Sequence, residues 1–301
     1  MALSTPELAG RLRGVWTALV TPFRGGKLDE GKLREIVDAQ VAAGIDGLVP
    51  CGSTGESPTL PFAEHKQVIR VTVEAAHGRI PVVAGAGTNS TEETLALCRD
   101  AREVGADGVL LVAPYYNRPS QRGIFLHFQA VFDAIDIPVV LYNIPGRTGV
   151  NVEPDTVSLI EKLGKLAGIK EAAGSCDQVS RLLELCGPDF PVLCGDDSLT
   201  LPFMSVGACG VISVVSNIAP REMAAMVRAF RENRGIEALE LHRRLFPLIK
   251  ALFIETNPVP VKTAMGLLGL CTDELRLPLA AMEEGNVVRL RKAMRDFGFK
   301  V

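Results

Sequence analysis

The chain is short of aromatic rings, of histidine and of net charge. Its 301 residues hold one tryptophan, three tyrosines, twelve phenylalanines and four histidines, and 35 acidic against 32 basic side chains leave a formal charge of −3. That balance supplies no basic face of the kind a nucleic-acid partner requires. No apolar run approaches the roughly 18–20 residues that span a bilayer, so no membrane partner is expected. The opening Met1-Ala2-Leu3-Ser4-Thr5-Pro6 lacks the charged and apolar regions of a signal peptide. The seven cysteines are odd in number and include no Cys-x-x-Cys pair, so they read as reduced thiols of a cytoplasmic protein. With so few rings available, the positions of the three tyrosines become informative.

What the chain has in quantity is repetition. Continuous β-branched runs at 15–20, 47–50, 82–84, 108–112, 139–142, 167–170, 192–194 and 210–213 alternate with helical segments. Runs without polar alternation are the pattern of parallel strands covered on both faces. Ala43-Gly44, Val104-Gly105 and Val206-Gly207 each place a glycine where a helix stops in the left-handed conformation. Pro81, Pro138 and Pro191 sit at strand entries, where no ladder donor is needed. Asp29 is placed to cap a helix with Leu33, Ile36, Val37 and Val41 on one face, Ser90 and Glu93 fit a capping box, and Pro154 fits a first helical position. Eight strand–helix units predict a (β/α)8 TIM barrel over residues 1–233, and a doubly wound open sheet is the alternative. Helical segments near 221–233, 236–253 and 279–297 then follow without a strand. The first completes the barrel, and residues 234–301 form a C-terminal helical extension.

In such barrels the chemistry sits at the C-terminal ends of the strands. Tyr115, Tyr116 and Tyr142 all fall there. Lys170 closes the apolar run Leu166-Ala167-Gly168-Ile169, and a lysine between low-dielectric walls has a lowered pKa. A neutral amine attacks carbonyls and forms Schiff bases, and the competing reading is a lysine that snorkels to solvent or pairs with an acid. Lys262 is the rival amine, but it lies past the strands and is expected to be structural. Gly52-Ser53-Thr54-Gly55 offers backbone N–H groups for a small carboxylate, or is an ordinary tight turn. Arg147 is the one fixed cation at this face. All four histidines fall on helical segments, so neither a metal site nor a Ser–His nucleophile is expected. Asp196-Asp197 reads as a helix cap. The third glycine of a dinucleotide fingerprint is missing after Gly85 and Gly87, and the last two strand ends lack the cations a phosphate would want.

Gly52-Ser53-Thr54-Gly55-Glu56, Pro114-Tyr115-Tyr116-Asn117, Leu141-Tyr142-Asn143-Ile144-Pro145-Gly146-Arg147-Thr148-Gly149, Gly168-Ile169-Lys170-Glu171 and Gly195-Asp196-Asp197 resemble, in order and spacing, the motifs of the 4-hydroxy-tetrahydrodipicolinate synthases, a branch of the N-acetylneuraminate lyase superfamily of pyruvate-dependent aldolases. The likeness runs from about Gly14 to the end. It implies a lyase that needs no cofactor: Lys170 forms a Schiff base with pyruvate, and the enamine attacks aspartate semialdehyde in diaminopimelate and lysine biosynthesis. It implies proton relay through Tyr142, Ser53 and Tyr116, the last reaching in from a neighbouring subunit of a homotetramer. Substrate contacts would come from Thr54, Arg147, Ile212 and Gly195. A lysine-feedback site would map onto Ser57, His65, Asn89, Glu93 and Tyr115, with Phe62 and Pro58 departing from the family's pattern. The synthase branch usually has threonine where Ser53 stands, and the neuraminate lyases have serine. A related aldolase acting on a sugar acid is therefore the alternative, and a catalytically silent binding barrel is the reading from another class.

Overall fold

The computed structural model describes residues 3–301; Met1 and Ala2, part of the opening segment read for a signal peptide, lie outside the described residues. Eight parallel strands make the wall: β1 (Gly14–Ala18), β2 (Gly47–Val49), β3 (Val83–Gly85), β4 (Gly108–Val112), β5 (Val139–Asn143), β6 (Leu166–Glu171), β7 (Val192–Cys194) and β8 (Gly210–Ser213). Their order is β2-β1-β8-β7-β6-β5-β4-β3, and a parallel bridge between Leu48 and Val82 closes the ring. Closure needs a close approach: a Cβ on Gly85 would lie 2.1 Å from the Cys51 carbonyl oxygen. The entry prolines supply no N–H, yet their carbonyls accept from the neighbouring strand: Leu48 N–H to Pro81 O at 3.0 Å, Val109 to Pro138 at 2.9 Å and Ile169 to Pro191 at 2.8 Å.

Strand alternation divides the core in two. Trp16, Val49, Leu110, Val140, Leu193 and Ile212 fill the barrel interior, while Val109, Leu111, Leu141, Ile169 and Val211 face the helices. Gly44, Gly105 and Gly207 are left-handed as expected. The helix layer is α2 (Glu30–Ala43), α3 (Phe62–Ala76), α4 (Thr91–Glu103), α5 (Gln121–Ala134), the single turn α6 (Pro145–Thr148), α7 (Pro154–Glu161), α8 (Cys176–Cys186), α9 (Thr200–Ser205) and α10 (Pro220–Arg231). Asp29 caps α2 through Lys32 N–H, and Pro154 opens α7. Only the Ser90 half of the expected capping box forms on α4. The buried face of α2 uses Gln40 rather than Val41. Gln40 accepts from the Thr17 hydroxyl at 2.8 Å and donates to Ser216 O at 2.9 Å, so its burial leaves no polar atom unpaired.

Three elements were not legible from periodicity. Helix α1 (Thr5–Arg11), with a complete Ser4–Glu7 capping box, plugs the bottom of the barrel with Leu8 and Leu12. A two-residue ribbon pairs Phe23–Arg24 with Lys27–Leu28. After α11 (Gly235–Leu252) comes an extra helix, α12 (Val259–Leu267), and α13 (Glu284–Phe297) starts five residues later than the expected 279.

The extension shares the outer core with the barrel through Leu245, Leu248, Val261, Met265 and Leu290. It is also pinned by charge. Lys262, structural as expected, is fully enclosed and donates to Glu56 at 2.5 Å, its amine 4.0 Å from the Phe23 ring centroid. Glu56, left-handed at φ +56°, also accepts from Arg276 N–H at 3.0 Å. The Arg276 guanidinium lies 4.1 Å from the same Phe23 ring centroid and pairs with Glu64. Removing one member of a buried ion pair strands the other charge. Lys262→Met is therefore expected to destabilise the fold by about 3–5 kcal/mol, and the double variant Lys262→Met/Glu56→Gln by less, as read by chemical denaturation; equal losses would contradict the pairing.

Candidate active site

The strand ends converge on a two-part cavity. An outer cleft of about 250 Å³ is lined by Gly52, Ser53, Ser57, Tyr115, Tyr142 and Arg147 among others. Beneath it, an inner chamber of about 50 Å³ is walled by Ser53, Thr54, Tyr142, Arg147, Lys170, Gly195, Val214, Phe253 and Asn257. One water needs about 10–15 Å³, so the chamber suits a ligand of a few heavy atoms. Six residues singled out from the sequence thus meet on one wall-to-wall site.

Lys170 lies on the chamber's inner wall. Residue alternation on β6 turns it inward, opposite Tyr142 on β5, with the amine 4.3 Å from the tyrosine ring centroid. It is buried, and among the described residues no carboxylate lies within ion-pair distance. Burial pulls its pKa down to about 8, against the opposing field of Asp197. Burial also raises the Tyr142 hydroxyl above the usual phenol range. Gly195 has a steric reason to be glycine: a Cβ there would lie 3.2 Å from Lys170 Cε and 2.7 Å from Ala172 Cβ.

Ser53 and Thr54 open a single 3-10 turn (Ser53–Gly55), and the first amides of such a turn have no intrahelical acceptor. They are available to a carboxylate. Arg147 is held by the Asn257 carbonyl at 2.8 Å, and Asn257 Nδ2 donates to the Thr54 hydroxyl at 3.0 Å. Asn257 was missed as a site residue; it reaches the chamber only through packing of the extension. Among the described residues its Oδ1 has no hydrogen-bond partner.

The other residues singled out from the sequence fall outside the lining of the inner chamber. Ile212 packs in the interior layer with Tyr142, and Val214 lines the chamber at that strand end. Tyr116 is 88% exposed and left-handed at φ +70°, outside the chamber. Of the feedback set, Ser57 and Tyr115 line the outer cleft. His65 is buried beside the Gly85 backbone, and burial pulls its pKa down to about 4. Burial raises the Tyr115 hydroxyl, with Glu93 adding to it; the Asn89 carbonyl accepts from Asn117 Nδ2 at 2.8 Å. Only Asp196 is the expected cap, accepting from Ser198 N–H at 2.8 Å. Asp197 is instead fully buried and accepts from the amides of Val214 and Val215 at 2.9 and 3.1 Å.

A lysine whose folded pKa is below its unfolded value is destabilising wherever both states are protonated, and the penalty fades as pH rises between the two values. The drop from 10.5 to about 8 corresponds to about 3 kcal/mol. Lys170→Met is expected to be more stable than the parent by about that much at pH 7, with most of the advantage gone at pH 9.5, as read by denaturant unfolding. An advantage that does not change with pH would remove the burial argument.

A sequence profile described as the dihydrodipicolinate synthetase family matches residues 11–296. The 4-hydroxy-tetrahydrodipicolinate synthase of Pelobacter propionicus is 53% identical over 286 residues, covering 95% of this chain and 99% of its own. The solved structure of the 4-hydroxy-tetrahydrodipicolinate synthase from Methylacidiphilum fumariolicum SolV superposes with a TM-score of 0.93 at 49% identity, covering 95% of both chains. A lysine-bound dihydrodipicolinate synthase from Cyanidioschyzon merolae superposes with a TM-score of 0.92 at 40% identity, covering 96% of this chain and 99% of its own. With the profile spanning nearly the whole chain and close to half or more of the residues shared with two of these relatives, the chain belongs to the dihydrodipicolinate synthetase family.

Proposed function

We propose that the protein is a 4-hydroxy-tetrahydrodipicolinate synthase, a lyase that condenses pyruvate with L-aspartate 4-semialdehyde in diaminopimelate and lysine biosynthesis. The observation that carries this reading is Lys170: a buried amine with pKa about 8, with no carboxylate among the described residues in ion-pair range, beside Tyr142 in a chamber of small-acid size. The Ser53 and Thr54 amides hold the pyruvate carboxylate. The neutral Lys170 amine adds to the ketone carbon, and loss of water leaves the Schiff base. Loss of a methyl proton gives the enamine, whose carbon attacks the aldehyde of the second substrate. The second substrate's own amine then adds to the former ketone carbon and displaces Lys170, closing the ring. One water leaves per turnover. The electron sink is the protonated imine itself, so no cofactor is required. Tyr142, with Ser53, relays protons at the ketone oxygen and nitrogen. Arg147, fixed by Asn257, takes the semialdehyde carboxylate, and Gly195 leaves the lysine chain room. The Ile212 carbonyl is assigned to the pocket wall.

Tyr116 completes the relay from a neighbouring subunit in this reading. Its exposure and left-handed backbone suit a residue displayed to a second copy. The exposed Ile236, Leu239 and Phe246 of α11 support a role for the 234–301 extension in assembly, as a homotetramer built from two dimers. The cytoplasm is the assigned compartment. Ser57, His65, Asn89, Glu93 and Tyr115 form the proposed feedback site for lysine, supported by the lysine-bound relative.

Incubation with pyruvate and borohydride is expected to leave one reduced adduct per chain, on Lys170, by mass spectrometry; no adduct would overturn the proposal. At subsaturating pyruvate the trapping rate should rise about tenfold per pH unit below pH 7 and level off above about pH 9, because only the neutral amine reacts. A flat profile would show that the amine does not titrate there. In coupled assays, turnover is expected with aspartate semialdehyde and not with N-acetylneuraminate. The reverse result would establish the sugar-acid reading, which Ser53 favours. Millimolar lysine is expected to inhibit the condensation and raise the melting temperature; no change in either removes the feedback site.

A further inference from the structure

We infer that Asn143 and Glu171 form a clamp on the outer face of the barrel wall that sets the spacing of Tyr142 and Lys170, making Glu171 a positioning residue for Schiff-base formation. This rests on the activity proposed above and adds to it a pair of residues outside the chamber.

Adjacent residues of a strand point to opposite faces. Across β5 and β6, Tyr142 is in register with Lys170 and Asn143 with Glu171. The first pair faces the chamber, so the second faces the helix layer, where both side chains are fully buried. Asn143 Nδ2 donates to both Glu171 oxygens at 3.1 Å and to Asn151 Oδ1 at 2.8 Å. Gln178 on α8 donates to Glu171 Oε2 at 3.0 Å, and the Ala173 amide donates to Oε1 at 2.6 Å. Asn143 Oδ1 in turn accepts from Val152 N–H at 3.0 Å, and Asn151 donates to Gln178 Oε1 at 3.0 Å.

Each partner of the Glu171 carboxylate is a donor, which suits the ionised acid; a protonated one would have no acceptor for its O–H. Burial raises its pKa, and these donors oppose the shift. No lysine or arginine lies within ion-pair distance among the described residues. If holding two strands together were the only task, an apolar pair would do it without a buried charge. What the carboxylate adds is direction: charge-assisted hydrogen bonds from β5, from the loop beyond β6 and from α8 all end on one group. Any slide of β6 against β5 breaks several together. Lys170 is the preceding residue, so the same bonds fix where its chain leaves the wall. Reacting groups tolerate only about 0.5 Å of misplacement, and about 1 Å costs on the order of 100-fold in rate.

The test is Glu171→Gln, which keeps the shape but turns an amide N–H₂ toward the donors. The adduct rate at saturating pyruvate is expected to fall at least tenfold, with KM for pyruvate within twofold of the parent. Long incubation should still label one Lys170 per chain, which separates slowed chemistry from lost folding. A folded variant with a rate within twofold of the parent would overturn the clamp. So would a loss that matches the fraction of chains never labelled. If Glu171→Gln does not fold, Gln178→Met removes one half-buried donor and is expected to slow labelling about threefold; an unchanged rate overturns the clamp. Failure of the parent protein to trap pyruvate would remove the proposed function itself, whereas normal trapping with unaffected variants removes only the clamp.

Discussion

A primary amine is nucleophilic only when neutral, and a protein makes one neutral near physiological pH by withholding water and counter-charge. Lys170 meets both conditions. Strand alternation buries it, no carboxylate among the described residues lies within ion-pair distance, and Asp197, whose field opposes the shift, accepts two backbone amides of the next strand end on its Oδ2. The arrangement is destabilising, and the rest of the barrel is built around it. Gly195 leaves space for the chain, Tyr142 supplies the adjoining ring and hydroxyl, and the orphan amides of the Ser53 turn offer the nearby anion site.

Lys262 shows the opposite solution with the same side chain. It is equally buried, but Glu56 sits at 2.5 Å and Phe23 closes over the amine. Among the described residues one lysine has no carboxylate partner, while the other is paired and ties the extension to the barrel. The paired one fixes the left-handed Glu56 turn just beyond Ser53 and Thr54, while Asn257 ties Thr54 and Arg147 together. The extension is therefore part of the site's support, and its loss would disturb chemistry on the barrel.

Much of the fold was legible because it rests on local signals. Eight apolar runs, left-handed glycines at helix ends and prolines at strand entries each follow from short-range sterics and backbone hydrogen bonding, and all eight strands form where those signals lie. Helix α1 and helix α12 were not legible: α1 is one short turn-pair whose Leu8 and Leu12 are buried only because a barrel bottom is there to receive them, and α12 is apolar on most sides because it is enclosed. Val41 failed as a core residue and Gln40 succeeded because hydrogen bonds to Thr17 and Ser216 make a buried amide acceptable.

The site divides in the same way. Lys170, Tyr142 and the Ser53-Thr54 turn could be named from the sequence, since each sits at the end of a strand whose apolar run is visible. Which buried lysine is paired and which arginine is fixed were decided by segments far apart in the chain: Glu56 and Lys262 are separated by 206 residues, Thr54 and Asn257 by 203, Arg147 and Asn257 by 110. Residue type and strand end, which are local, determine the kind of chemistry available. The protonation, spacing and orientation that make it usable depend on burial and on partners, and those exist only once the chain has closed on itself.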